Sequence, residues 1–249
     1  MNATTVTLAE RPDLTDAMWS MADTWPAFML EDPIVNAFFG RLPEQFPEYQ
    51  IVALSNNDTV IAKVHSIPFV WSGEDGDLPD RGLDAVLARG FADRGNGRAG
   101  TAVSLLEAHI DPRFRGGGLS GRLLDVAAAN AVRLGQSDLF GPVRPTGKDA
   151  EPSTAMSDYV MRTRTDGLPT DAWLRTHVRR GGRIVKVCPA SMTISGSLAQ
   201  WRTWTGLPLK TSGHVEVTGA LVPVCVSVEQ DHAVYVEPNI WVHHDLRKS

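Results

Sequence analysis

Residues Leu105 to Leu124 read LLEAHIDPRFRGGGLSGRLL, and this stretch decides the fold. It completes a strand, Thr101 to Ile110, with apolar residues on both faces, as expected for a central position in a sheet. Asp111 to Gly118 is polar and glycine-rich, as a loop should be. From Leu119 the period changes. Leu119, Leu123, Val126, Ala127, Ala131 and Leu134 fall on one helical stripe, and Gly135 sits where a C-terminal cap glycine belongs. A strand, a glycine-rich turn and an amphipathic helix in that order can make an anion site. Backbone N–H groups from Arg115 to Gly121 would point outward at the helix N-terminus, where the helix dipole reinforces them. Glycines allow close approach to the main chain, and Arg113, Arg115 and Arg122 add positive charge beside it.

Working outward, the N-terminal side predicts one or two helices over Asp13 to Leu42, broken near Pro33. Tyr49 to Leu54 and Thr59 to Phe69 read as a hairpin around the Asn56-Asn57-Asp58 turn. Leu83 to Phe91 reads as a short helix inside the segment Gly73 to Gly100, between the hairpin and the motif strand. On the C-terminal side a strand is expected at Leu139 to Val143, an irregular stretch at Arg144 to Pro169, and a helix at Asp171 to Arg180 stopped by Gly181-Gly182. Strands follow at Ile184 to Val187, Val215 to Val228 and Ala233 to Val242. No linker composition interrupts the chain, so one domain over residues 1–249 is expected, with a C-terminal extension from about Ser191.

The chain has 249 residues, 43% hydrophobic and 21% charged, an ordinary globular balance. Its formal net charge of −5 argues against a dedicated nucleic-acid binder, which needs a basic surface. Two cysteines, Cys188 and Cys225, make neither a disulfide scaffold nor a metal cluster. His243-His244 lack the spacing and carboxylate partner of a metal site and are expected at the surface. No apolar run approaches the roughly 20 residues that span a bilayer, and the N-terminus lacks a signal-peptide pattern. The expectation is a soluble, cytoplasmic protein without a metal.

Three phosphate-binding readings compete for the loop. Gly116, Gly118 and Gly121 spell a dinucleotide fingerprint, but five residues, Asp111 to Arg115, separate strand from glycine. No acidic residue ends the next strand to hold a ribose, since Asp138 precedes it. A P-loop at Gly141 to Lys148 is one residue too long, and Asp149 stands where Ser or Thr must hold magnesium. The third reading fits the spacing. Arg113-x-x-Gly116-x-Gly118, followed by Leu119 and a helix with Leu123-Leu124, resembles the acyl-CoA-binding motif of the GNAT superfamily of N-acetyltransferases. The Ile110-Asp111-Pro112 turn and the wider order of elements are similar too.

The resemblance implies an α/β (α+β) fold with a central mixed, mostly antiparallel sheet flanked by helices. It also implies acetyl-CoA or another acyl-CoA as donor and a small-molecule amine as acceptor. Main chain near Ala108 to Ile110 would pair with the pantetheine arm and polarise the thioester carbonyl. The turn residues Arg113, Arg115, Gly116, Gly117, Gly118, Leu119, Ser120 and Gly121 would hold the phosphates. A general base is sought at the end of the motif strand, where Glu107 and His109 share one face. Tyr159 would protonate the leaving thiolate, with Ser153 or Ser157 in reserve. Other readings stay open: a non-catalytic acyl-CoA-binding module, a donor carried by a protein or a tRNA, and an NAD-dependent oxidoreductase. Trp201, Trp204 and Trp241 are expected to pack a core, His65 to be structural, and the long C-terminal strands could build a homodimer.

Overall fold

The computed structural model describes residues 3–22 and 24–248. Nine strands run as β1 (Thr4–Thr7), β2 (Gln50–Leu54), β3 (Val60–Phe69), β4 (Ala102–Ile110), β5 (Asp138–Val143), β6 (Arg183–Ser197), β7 (Gly213–Val215), β8 (Val224–Ser227) and β9 (His232–Asp245). They form one sheet in the order β1-β2-β3-β4-β5-β9-β8-β7, with β6 on the other edge of β9. Every pairing is antiparallel except β4 with β5. The expected mixed, mostly antiparallel sheet is present.

The parallel pair positions everything that follows. β4 pairs with β3 along its whole length, from Ala102 to Ile110. It meets β5 only at Val103 with Leu139 and Ser104 with Phe140. Beyond Ser104 the two strands part, and the β5-facing edge of β4 is left open toward its C-terminal end. β5 turns to β9 instead, pairing from Asp138 to Val143.

Helices cover both faces: α1 (Thr15–Trp19), α2 (Pro33–Phe38), α3 (Leu42–Gln45), α4 (Gly82–Gly95), α5 (Leu119–Arg133), α6 (Met156–Val160), α7 (Ala172–Arg179) and α8 (Leu198–Thr205). Pro33 opens α2 rather than breaking a longer helix. It sits in the first turn, where its missing N–H costs nothing, and Asp32 caps the next two N–H groups, those of Ile34 and Val35, both at 2.9 Å. The segment Gly73 to Gly100 forms α4, longer than expected, which packs on β6 and β3.

Two expectations change in the C-terminal region. The short strand at Ile184 to Val187 is the start of a 15-residue strand, β6, which bends at irregularities near Pro189 and continues to Ser197. It therefore crosses residue 191, where an extension was expected to begin. β9 is not an appendage either, for it lies inside the sheet between β6 and β5, and its Tyr235, Ile240, Trp241 and Val242 are fully buried. His243 and His244 share that burial. His243 Nε2 lies 2.8 Å from Asp138 Oδ1 and its ring stacks on Phe140. The main core runs from Phe28 to Leu246, with Trp201 buried in it and its indole N–H on the Ala233 carbonyl.

Candidate active site

The parting strands open a cavity of about 1160 Å³, whose wall includes the glycine turn, Trp19 of α1 and Trp25 from the segment after it. Among the expected turn residues, Arg115, Gly116, Gly118, Leu119 and Ser120 line it. Gly116 and Gly118 have φ of +87° and +72°, and a Cβ at either would meet nothing within 4 Å. Their glycine character is thus a conformational need, with free space in front of the main chain. The turn fits an anion on that observation: helix α5 begins at Leu119, and the approach to its first N–H groups is open. Arg115 stays close, bonding the Ile110 carbonyl and Thr24 Oγ1, both at 3.2 Å.

Three turn residues stand elsewhere. Arg113 points away into a fork on Asp111, with Nη2 2.6 Å from Oδ2, and is largely exposed. Gly117 is not in the cavity wall. Gly121 is a packing glycine: its carbonyl accepts from Arg180 Nε, and a side chain there would collide with the Arg180 guanidinium. Arg180 also pairs with Asp125 at 2.9 Å, so this contact pins the end of α7 to α5.

Ala108 and Ile110 line the cavity from the open edge of β4, and Glu107 and His109 join them. Glu107 is tightly held. Oε1 accepts from Trp25 Nε1 at 2.8 Å, and Oε2 lies 3.7 Å from both Lys63 Nζ and His65 Nε2. Cross-strand register explains the company, since His65 is opposite Glu107 and Lys63 opposite His109. His109 is buried with no protein partner on Nε2.

The neighbour of most interest is His65, which is fully buried and stacked on Trp19 at 5.2 Å. Its tautomer follows from Gln50. The Gln50 amide nitrogen donates to the carbonyls of Phe46 and Ser66, at 2.8 and 3.0 Å. Its oxygen therefore faces His65 Nδ1, 2.9 Å away, and must accept from it. Burial holds the imidazole well below its usual range, so the ring is neutral and Nε2 carries a lone pair. That lone pair makes no hydrogen bond among the described residues and faces the Glu107 carboxylate.

Tyr159 is not in this cavity. Its hydroxyl donates to Asp171 Oδ2 at 3.2 Å, and burial against that carboxylate pushes the phenol up to about 12. Asp171 is a hub: Oδ1 caps α7 through Trp173 and Leu174, and Oδ2 also takes the Gly147 N–H. Ser153 bonds Glu216 and Ser157 approaches Asp158, both off the cavity wall. The α7 side of the wall is given instead by Trp173, Thr176 and His177. Lys148, considered for a phosphate loop, is buried and committed to the carbonyls of Glu151 and Leu221, both at 2.7 Å. Asp138, the candidate ribose acid, is taken by His243 and Arg247.

Arg144 completes the wall. It follows β5 directly, its Nε bonds Glu237 Oε2 at 3.0 Å, and Nη2 bonds the Gly219 carbonyl. Its guanidinium carbon lies 5.6 Å from the centre of the Trp25 ring. Neither Trp25 nor Arg144 carries a sequence signal, and no spacing in the chain links them to Glu107.

Comparison with known proteins now decides the family. No model of a known protein family matches the sequence. The chain is 31% identical to an arginine N-acetyltransferase, avaD, of Aspergillus versicolor, over 96% of this chain and 93% of that one. It belongs to the GNAT superfamily of N-acetyltransferases. The fold agrees at lower identity. The loading GNATL domain of CurA from Lyngbya majuscula superposes with a TM-score of 0.61 at 16% identity, covering 100% of both chains. GphF, a GNAT-like decarboxylase in complex with isobutyryl-CoA, superposes with a TM-score of 0.53 at 17% identity, covering 99% of this chain and 100% of that one. In this GNAT chain the parted strands and the glycine turn are the features that the sequence motif marked.

Proposed function

We propose that this protein is an acyl-CoA-dependent N-acyltransferase whose acceptor is the amine of a small molecule, with arginine as the first candidate. The observation that carries the reading is the continuity of one cavity, from the turn at Gly116 to Ser120, along the open edge of β4, to the carboxylate of Glu107. The kinship with an arginine N-acetyltransferase over nearly the whole chain supports the acceptor class.

When bound, acyl-CoA supplies the acyl group as a thioester whose carbonyl is open to attack and whose sulfur leaves as a thiolate. The chain's own residues do the rest. The turn N–H groups and Arg115 hold the phosphates. The unpaired main chain of β4 near Ala108 and Ile110 aligns the arm and offers N–H groups to the carbonyl oxygen as it gains charge. Glu107 removes one proton from the acceptor ammonium, which frees the lone pair for attack. Collapse breaks the carbon–sulfur bond, and the second proton lost by the nitrogen neutralises the thiolate.

His65 serves this step without touching substrate. Once protonated, Glu107 Oε2 faces the His65 Nε2 lone pair, 3.7 Å away and aligned by Gln50, and this buried, neutral ring favours the protonated carboxyl without taking the proton itself. Trp25 keeps Oε1 in place meanwhile.

Replacing Glu107 by Gln tests the assignment. We expect kcat for acetyl transfer to fall about 100-fold or more, as general bases usually contribute, while calorimetric affinity for acetyl-CoA is retained. Wild-type kcat in Glu107→Gln would remove Glu107 from the base role.

A further inference from the structure

We propose that Arg144 is a carboxylate-binding residue of the acceptor site, and that the acceptor is therefore an α-amino acid acylated on its α-amine. This rests on the N-acyltransferase reading and adds to it the nature of the acceptor's second pole. Arg144 lines the same cavity as Glu107, and its side chain is four-fifths buried, 19% exposed. Such a cation needs a built setting, and it has one. Glu237, fully buried, accepts Nε at 3.0 Å and is itself fixed by the Tyr235 hydroxyl at 2.9 Å and by Asn239 Nδ2 at 3.0 Å. The Gly219 carbonyl holds Nη2. Nη1 makes no hydrogen bond among the described residues, while the guanidinium lies over the Trp25 ring. A guanidinium fixed on one side with donors left over on the cavity side presents a fork for a planar anion.

The spacing names the ligand. Trp25 donates its indole N–H to Glu107 Oε1 at 2.8 Å and offers its ring to Arg144 at 5.6 Å. An acidic group and a basic group thus both contact Trp25 on the wall of one cavity. A zwitterionic amino acid matches them pole for pole, with its ammonium on Glu107 and its carboxylate on Arg144. A simple amine would leave the Arg144 fork unused. An amine acylated at the far end of a long side chain sets its carboxylate several more bonds from the reacting nitrogen, a worse match to two groups that share Trp25 as a neighbour.

The test compares matched acceptors on the intact protein, with acetyl-CoA as donor and free thiol as readout. The pairs are arginine with its decarboxylated form agmatine, and lysine with cadaverine. We expect KM for the amino acid to be lower than for the decarboxylated partner by at least about tenfold. In Arg144→Lys, which keeps the charge but loses the fork, that ratio should fall toward one, with folding checked by circular dichroism. The arginine product should carry the acetyl group on the α-nitrogen by tandem mass spectrometry. Equal or better use of agmatine, an unchanged ratio in the variant, or acetyl on the guanidinium would overturn the carboxylate site and leave N-acyl transfer standing. No thiol release with any pair would remove the transfer reading first, and this inference with it.

Discussion

Glu107 shows what a single residue's neighbours decide. Its place at the end of the motif strand was legible, because period-two alternation puts it and His109 on one face. Its setting was not. Trp25, Lys63 and His65 arrive from other segments, and only the hairpin register brings the last two opposite Glu107 and His109. His65 read as a structural histidine, and it is one by burial; its chemistry lies in the tautomer that Gln50 imposes. Tyr159 lies off the cavity wall for a related reason. Its distance along the chain admitted a site role, but Asp171 draws the hydroxyl into the α7 cap. Asp84 is a residue whose effect is on stability alone. It is buried beside Asp32, with Oδ1 unpartnered, and burial, then the Asp32 charge, push it up to about 7. A carboxyl whose native value is raised stabilises the fold fully below the unfolded value near 3.8, and that contribution is lost as pH rises through about 7. Asp84→Asn should therefore be more stable than wild type at pH 8, on the order of 2 kcal/mol, and nearly equal to it at pH 4. Urea midpoints at the two values check this, and a destabilised variant at pH 8 would contradict it.

At the scale of elements, the strand–turn–helix unit was readable because local rules carry it: a strand pattern, glycines where φ is positive, and an apolar helical stripe. Within the turn, the division of labour was not. Gly118 and Gly121 look alike in sequence, yet the first answers to backbone conformation and the second to the Arg180 side chain of a distant helix. Arg113 and Arg115 likewise look alike until Asp111 claims the first. Gly118→Val places a β-branched side chain at φ +72° in front of the first turn of α5. Acetyl-CoA affinity by calorimetry should drop at least about tenfold, beyond the 1–2 kcal/mol of backbone strain. The same change at Gly117, outside the cavity wall, should cost less. Equal losses at both positions would mean that the turn acts only as a fold element.

At the scale of the molecule, the long-range order of the sheet is the part least visible in sequence. β6 read as a short strand, Ile184 to Val187, because Pro189 and polar interruptions break its periodicity, and only its pairing with β9, from Arg183 with His243 to Ser197 with His232, makes it long. Histidines buried on β3, α7 and β9 set part of the acid response of the whole chain. His65 lies well below the usual histidine range through burial, His177 is brought down to about 3 by burial and by His244, and His244 is lowered by burial. Histidines with depressed native values stabilise the fold above the unfolded value of about 6.5, and lose that contribution as pH falls through the native ones. In Asp84→Asn, which removes the carboxyl that works in the opposite sense over this window, the urea midpoint should decline from pH 6.5 down to 4, and a flat midpoint would contradict the neutral, buried assignment. The parted β4 and β5 are the molecular feature on which the proposed function rests, since they put the glycine turn and Glu107 on the wall of one cavity along an open strand edge. The most direct test is therefore the complete reaction: purified protein, acetyl-CoA and arginine, with thiol release and product mass followed together. The account predicts thiol and N-acetylarginine in equal amounts, both dependent on arginine and both suppressed in Glu107→Gln. Thiol release that ignores arginine, or none while acetyl-CoA binds, would contradict it.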